Sequence, residues 1–340
     1  MGLNHPTDLD AWRRWQHSQH RLRQLRHAVR PGRASVPERL VLTAYDADPR
    51  LLVAVDSTSP TSHAALLEPL AHADLPVAVL SPGPPPEVPG RRPLVSMDVG
   101  TDVPSALRGI AAVISLGHYL PRGAAAHAWA GSLGATSLVA QHGALTPHAP
   151  PLASGSRLLA WSEADASYWR SGRADVEHEV VGSQLMWRAG LERQAGDTDE
   201  RLTYLGQMHA AELPRARLVR AAASYCRSSG AVYRPHPSER DRLSRLAHDG
   251  YRRLGITVDG AVPLARLAGP VVSVFSTGVL EAAAQGRDAW VDFPRPPSWL
   301  GEFWERYGMH RLGDSPTPAP ARGDAEPARR IAEIVTEAAS

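Results

Sequence analysis

From residue 38 onward the chain is written in one alternating pattern, short apolar runs separated by stretches of helical character. The runs fall at residues 40–44, 51–55, 77–80, 94–96, 112–115, 137–141, 158–161 and 179–181, with helical segments at 62–72, 124–132 and 163–170. Apolar runs of four or five residues buried on both faces are strands of a parallel sheet, and the helices between them cover its two sides. The prolines of residues 81–86 mark a loop, because consecutive prolines cannot donate to a ladder. A polar stretch at 191–201, containing Gly196, reads as a linker. The pattern then restarts, with strands at 202–205, 231–233, 256–258, 271–275 and 289–292 and helices at 214–226, 239–254, 263–268 and 279–285. A proline-rich stretch at 315–320 precedes a last helix at 325–338. The expected architecture is α/β: two doubly wound Rossmann-like domains, 36–190 and 200–315, facing across a cleft. A helical arm at 1–35 precedes them, and a linker with a C-terminal helix at 316–340 follows.

Leu9, Trp12, Trp15, Leu22, Leu25 and Val29 recur in the arm at three- and four-residue steps, and its seven arginines against Asp8 and Asp10 make it basic. Such a helix either rests on an anionic membrane face or packs its Trp/Leu stripe on the body or on a second subunit. The packing reading is preferred, since two tryptophans and four aliphatics suit a core. The whole chain of 340 residues carries a net charge of only +2, which gives no field for nucleic acid. Every basic residue is arginine, so arginine abundance says little about anion binding. One cysteine, Cys226, rules out an internal disulfide and a cysteine metal cluster. No apolar run reaches membrane-spanning length, and the first residues lack a secretory pattern, so a cytoplasmic location is expected, with peripheral contact at the inner membrane face as the alternative the basic arm leaves open. There is no G-x-G-x-x-G, no Walker lysine, no G-x-S-x-G elbow and no His-Glu-x-x-His; no metal and no other cofactor is expected.

In doubly wound sheets ligands sit beyond the carboxyl ends of the strands, so the chemistry is sought there. Strand 231–233 runs into Arg234-Pro235-His236-Pro237, where two prolines hold an imidazole on a stiff turn beside a guanidinium, a combination suited to phosphate. Strand 271–275 runs into Ser276-Thr277-Gly278-Val279-Leu280-Glu281. The hydroxyls cap a helix whose first N–H groups favour an anion, Gly278 leaves room at the backbone, and Glu281 lies one turn on, placed to accept from ribose hydroxyls. In the first half, Asp46, Asp56, His118, Gln141, His142 and Gly143 stand at strand ends. His142, Asp46 and Asp56 are the candidate general bases, with His118, Gln141, Gly143 and Gln207 as further candidates at the cleft.

Gln141-His142-Gly143, Arg-Pro-His236-Pro and Ser276-Thr277-Gly-x-x-Glu281 together resemble GT-B glycosyltransferases of the bacterial capsule and teichoic-acid polymerase groups, including polysialyltransferase-like and CDP-glycerol glycerophosphotransferase-like members. The resemblance implies that His236, Ser276 and Thr277 hold the donor phosphate, that Glu281 holds the ribose, and that His142 serves as base. It implies a metal-independent, inverting transfer of a sugar from a nucleotide donor, CMP- or CDP-linked by preference, to a hydroxyl of a cell-surface glycan or lipid-linked precursor. Two other readings stay open: a nucleotide-sugar 2-epimerase, and a non-catalytic nucleotide-sugar-binding protein.

Overall fold

A computed structural model describes residues 2–19, 39–192 and 201–340. Leu22, Leu25 and Val29 of the arm and most of the expected linker lie outside the described residues. The chain divides into two compact units, Met1–Leu185 with Gly323–Ser340, and Met186–Arg322. The division therefore falls at Leu185 rather than in 191–201, and the last helix belongs to the first unit.

The first unit contains α1 (Leu9–Gln19), β1 (Val41–Ala44), β2 (Leu51–Ala54), α2 (Pro60–Leu66), β3 (Val77–Ser81), β4 (Val95–Asp98), β5 (Ala112–Ser115), α3 (Pro121–Leu133), β6 (Thr136–Ala140), β7 (Arg157–Ala160), α4 (Glu163–Arg170) and β8 (Glu177–Val180). Helix α5 (Gln184–Leu191) spans the division. The second unit follows with β9 (Thr203–Leu205), α6 (Arg215–Ser229), β10 (Val232–Arg234), α7 (Arg242–Arg253), β11 (Val271–Ser273), α8 (Thr277–Ala284), β12 (Ala289–Val291) and α9 (Ser298–Arg306); α10 (Pro327–Ala339) returns to the first unit.

Eight strands form the first sheet in the order β4-β1-β3-β2-β5-β6-β7-β8. Alternation along β2 sends Leu51 and Val53 into a core with Ile331, Ile334 and Val335 of α10, and Leu52 and Ala54 into one with Ala126, Trp129 and Ala130 of α3. Both faces of the sheet are thereby covered, as the near-continuous apolar strands require.

One expectation fails here: pairing is not parallel throughout. β1 runs antiparallel to both β3 and β4. Only residues 45–50 join β1 to β2, whereas a parallel return needs a dozen or more. The reversal puts Asp46, just after β1, at the amino edge of the parallel strands.

The second sheet, β10-β9-β11-β12, is parallel throughout. The expected strand at 256–258 is reduced to one bridge, Tyr233 to Val258, and the expected helix at 263–268 to a single turn, Leu264–Arg266. Helices α5 and α9 were not anticipated.

Two glycines of α3 give a matched test of the packing. A Cβ on Gly123 would stand 2.0 Å from the Gly117 carbonyl oxygen, while one on Gly131 meets nothing within 4 Å. Gly123→Ala should destabilise by about 1–3 kcal/mol through overpacking. Gly131→Ala should be neutral or stabilising by about 0.4–1 kcal/mol. Urea unfolding of the two variants checks both signs.

Candidate functional site

At the carboxyl edge of the first sheet, Asp56 is almost wholly buried and its two oxygens accept the backbone N–H groups of Arg122 and Gly123, each at 2.9 Å. The Arg122 guanidinium lies 3.5 Å from the same carboxylate. Asp56 thus caps α3, whose own N-cap residue, Leu120, supplies no side-chain bond. Both of its oxygens already hold structural bonds, which corrects the expectation of an unengaged base. Asp46 is corrected likewise: at the opposite edge it accepts from the Val77 N–H at 3.0 Å and from Arg91, which also donates to the Ala73 carbonyl. Near it, a cavity of about 500 Å³ is lined by Tyr45, His63, Glu87, Arg91 and several prolines of residues 85–93, with no predicted site residue in its wall.

Gln141 is also structural. Its amide donates to the Gly143 carbonyl and to Asp165, and its oxygen accepts from the Trp161 N–H at 2.9 Å. That network holds the turn at Gly143 and leaves His142 beside it. The Nδ1 of His142 is shut off from solvent without a hydrogen-bond partner, and burial pushes its pKa down to about 4. His118, on the adjacent strand end, has the same features: a sealed Nδ1 and a pKa lowered to about 4 by burial and by neighbouring His127, Arg13 and Arg173.

Helix α1 lies across these loops. Trp12 donates its Nε1–H to the His148 carbonyl at 2.8 Å and meets Tyr119 edge-on, while Trp15 stacks on His148 at 4.3 Å. For the described part of the arm, both tryptophans face the body of the first unit. Among the described residues no helix is long and apolar enough to cross a membrane.

The second unit gathers more of the predicted residues on one edge. Arg234 ends β10 and donates to the Val262 carbonyl. His236 follows, its Nδ1 accepting the Ser238 N–H at 3.1 Å. That bond fixes the neutral tautomer, so Nε2 carries the proton and is a donor. Ser276 caps α8, its hydroxyl accepting the Gly278 N–H at 3.1 Å, and Thr277 opens the helix. Glu281 lies one turn on, charged groups of Arg188, Arg287 and Arg234 opposing the burial that raises its pKa. Gly278 serves packing rather than ligand approach: a Cβ there would meet Leu205 at 2.8 Å and Leu264 at 2.9 Å. Gln207 ties β9 to β11, accepting from the Ser273 hydroxyl and the Phe275 N–H.

Two residues were missed. Glu239, with no exposed side-chain surface, accepts from the Met208 N–H at 2.8 Å, the Tyr233 hydroxyl at 2.9 Å and His248 Nε2 at 3.0 Å. Gly206 is glycine because a Cβ would stand 2.3 Å from the Tyr233 oxygen. His209 stacks on His236, ring centroids 3.7 Å apart. Their only sequence signal is position, His209 four residues beyond β9 and Glu239 closing the His-Pro turn. Among the described residues no group of three or more His, Cys, Asp or Glu is arranged to hold a metal ion.

Burial holds His118, His142, His148 and His236 at about 4 and His209 at about 3. Unfolded, each takes a proton near pH 6.5, so between pH 6.5 and 4 the unfolded chain binds more protons. Folding stability should therefore drop on acidification through that window. Urea midpoints at pH 7 and pH 5 read this out; equal midpoints would contradict it.

No protein-family model matches the chain, and no curated protein matches it in sequence. Among solved structures it is similar to Anabaena Alr3699/HepE, determined in complex with UDP and glucose, at 13% identity over 85% of this chain and 89% of that one, with a TM-score of 0.43. A likeness that loose carries no argument about site or substrate.

Proposed function

We propose that the chain is a glycosyltransferase that moves a sugar from a nucleotide-activated donor to a hydroxyl of a cell-surface glycan or its precursor. One observation carries the reading: in the second unit a fixed imidazole donor, a guanidinium and a serine-capped helix start lie along one carboxyl edge of a parallel sheet, with Glu281 a turn further on.

A donor phosphate would be met by the His236 Nε2–H, Arg234 and the first turn of α8. Glu281 would accept from the ribose hydroxyls. As the anomeric C–O bond breaks, negative charge gathers on the leaving phosphate oxygen, and these donors would stabilise it. With Asp46 and Asp56 tied up in structure, the acceptor proton is assigned to His142, which is neutral at pH 7 and can accept it. Direct attack by the acceptor inverts the anomeric centre. The motif resemblance favours a cytidine nucleotide and a lipid-linked or glycan acceptor.

A thermal-shift panel of CMP, CDP, UDP, GDP and dTDP tests the reading. A nucleotide at 100 times its Kd should stabilise the fold by about 2.7 kcal/mol. His236→Ala should shrink the shift. No response to any of the five nucleotides would overturn the proposal.

A further inference from the structure

The turn after β9 carries a residue that the motif reading passes over. His209 lies against His236 with ring centroids 3.7 Å apart and planes 16° from parallel. Two imidazoles from neighbouring strand ends are thus stacked at the edge where the donor phosphate is placed. Glu239 secures both: its carboxylate accepts the N–H of Met208, next to His209, and its own N–H donates to the His236 carbonyl at 2.8 Å.

The two rings differ in what a proton would cost. His236 already uses Nδ1 to accept the Ser238 N–H, and its Nε2 is already a donor. Protonating Nδ1 would break that bond for no new contact. His209 has no bond to lose, since its Nδ1 is sealed and unpartnered, which leaves Nε2 as the nitrogen that can meet a ligand.

We infer that His209 is a second ligand for the donor phosphate and that it takes up one proton from solvent as a diphosphate binds, while His236 stays a neutral donor; the inference rests on the proposed donor site. Without ligand, burial holds His209 down to about 3, reinforced by His236 and by Arg215 of α6, which is itself paired with Asp241 at 2.8 Å. His236 is held at about 4 by burial alone. A diphosphate brings two negative charges, each able to lift a nearby imidazole by about one to three pH units. The balance is one proton: with the neutral ring's hydrogen on Nδ1, a solvent proton adds to the Nε2 lone pair of His209, and the Nε2–H so formed bonds a phosphate oxygen.

Isothermal titration calorimetry of the full chain tests this, with UDP-glucose and CDP-glycerol as probes, because their diphosphate diesters keep a constant charge between pH 5 and 8. Runs in two buffers of different ionisation heat count protons. The wild type should take up protons as the donor binds, approaching one per donor toward pH 5.5, and its affinity should rise as pH falls from 7.5 to 5.5, by up to tenfold per pH unit. His209→Phe keeps the stacked ring but has no nitrogen to charge, so its affinity should no longer change with pH. His236→Phe should weaken binding at every pH and keep the slope. Thermal melts confirm that each variant is folded. Binding by His209→Phe with the wild-type slope, or a wild type with no slope, overturns the inference and leaves the donor site standing. A wild type that binds neither probe at any pH removes both.

Discussion

The Glu239 carboxylate, cut off from water, accepts from a backbone N–H after β9, a phenol on β10 and an imidazole on α7. Removing one partner of a buried, charge-bearing cluster costs about 3–5 kcal/mol, because the groups left behind keep their desolvation penalty. The bond to Met208 pulls the β9 loop against the His-Pro turn closely enough that residue 206 cannot carry a Cβ. The facing of His209 and His236 follows from it.

Two helix starts, those of α3 and α8, are capped in opposite ways. In the first, the chain supplies its own anion: Asp56 caps α3 from another loop, with Arg122 closing over it. In the second, α8 is capped by the neutral hydroxyl of Ser276, and the nearest acid of the motif, Glu281, lies a turn further along. A carboxylate already at a helix start occupies the place where a phosphate would bind, whereas a serine cap leaves the positive end of the dipole available to an outside anion.

Much of this was legible from the residue pattern. Strand 112–115 and helix 163–170 were read residue for residue, and the Arg234–Pro237 turn and the Ser276 cap stand where apolar runs stop at strand ends. The orientation of β1 was not legible, since its apolar run looks like any other and only the shortness of residues 45–50 hints at reversal. That one reversal misplaced Asp46. Asp56 was misread for another reason: its partners, Arg122 and Gly123, are more than sixty residues away. Glu239 and His209 escaped because their contacts lie across strands, 31 residues apart for Glu239 and Met208. Helix α9 follows the prolines of residues 294–297, which read as loop, although Leu300, Phe303 and Trp304 bury one face of it.

The central claim is that nucleotide-sugar phosphate is held at the carboxyl edge of β9, β10 and β11. Amide hydrogen exchange with and without UDP-glucose or CDP-glycerol, followed by mass spectrometry, tests it most directly. The account predicts slowed exchange confined mainly to peptides covering residues 206–210, 234–239 and 276–281, where loops and a helix start would close on the ligand. Protection elsewhere, for instance at the 500 Å³ cavity near Tyr45, with those three segments unchanged, would contradict it.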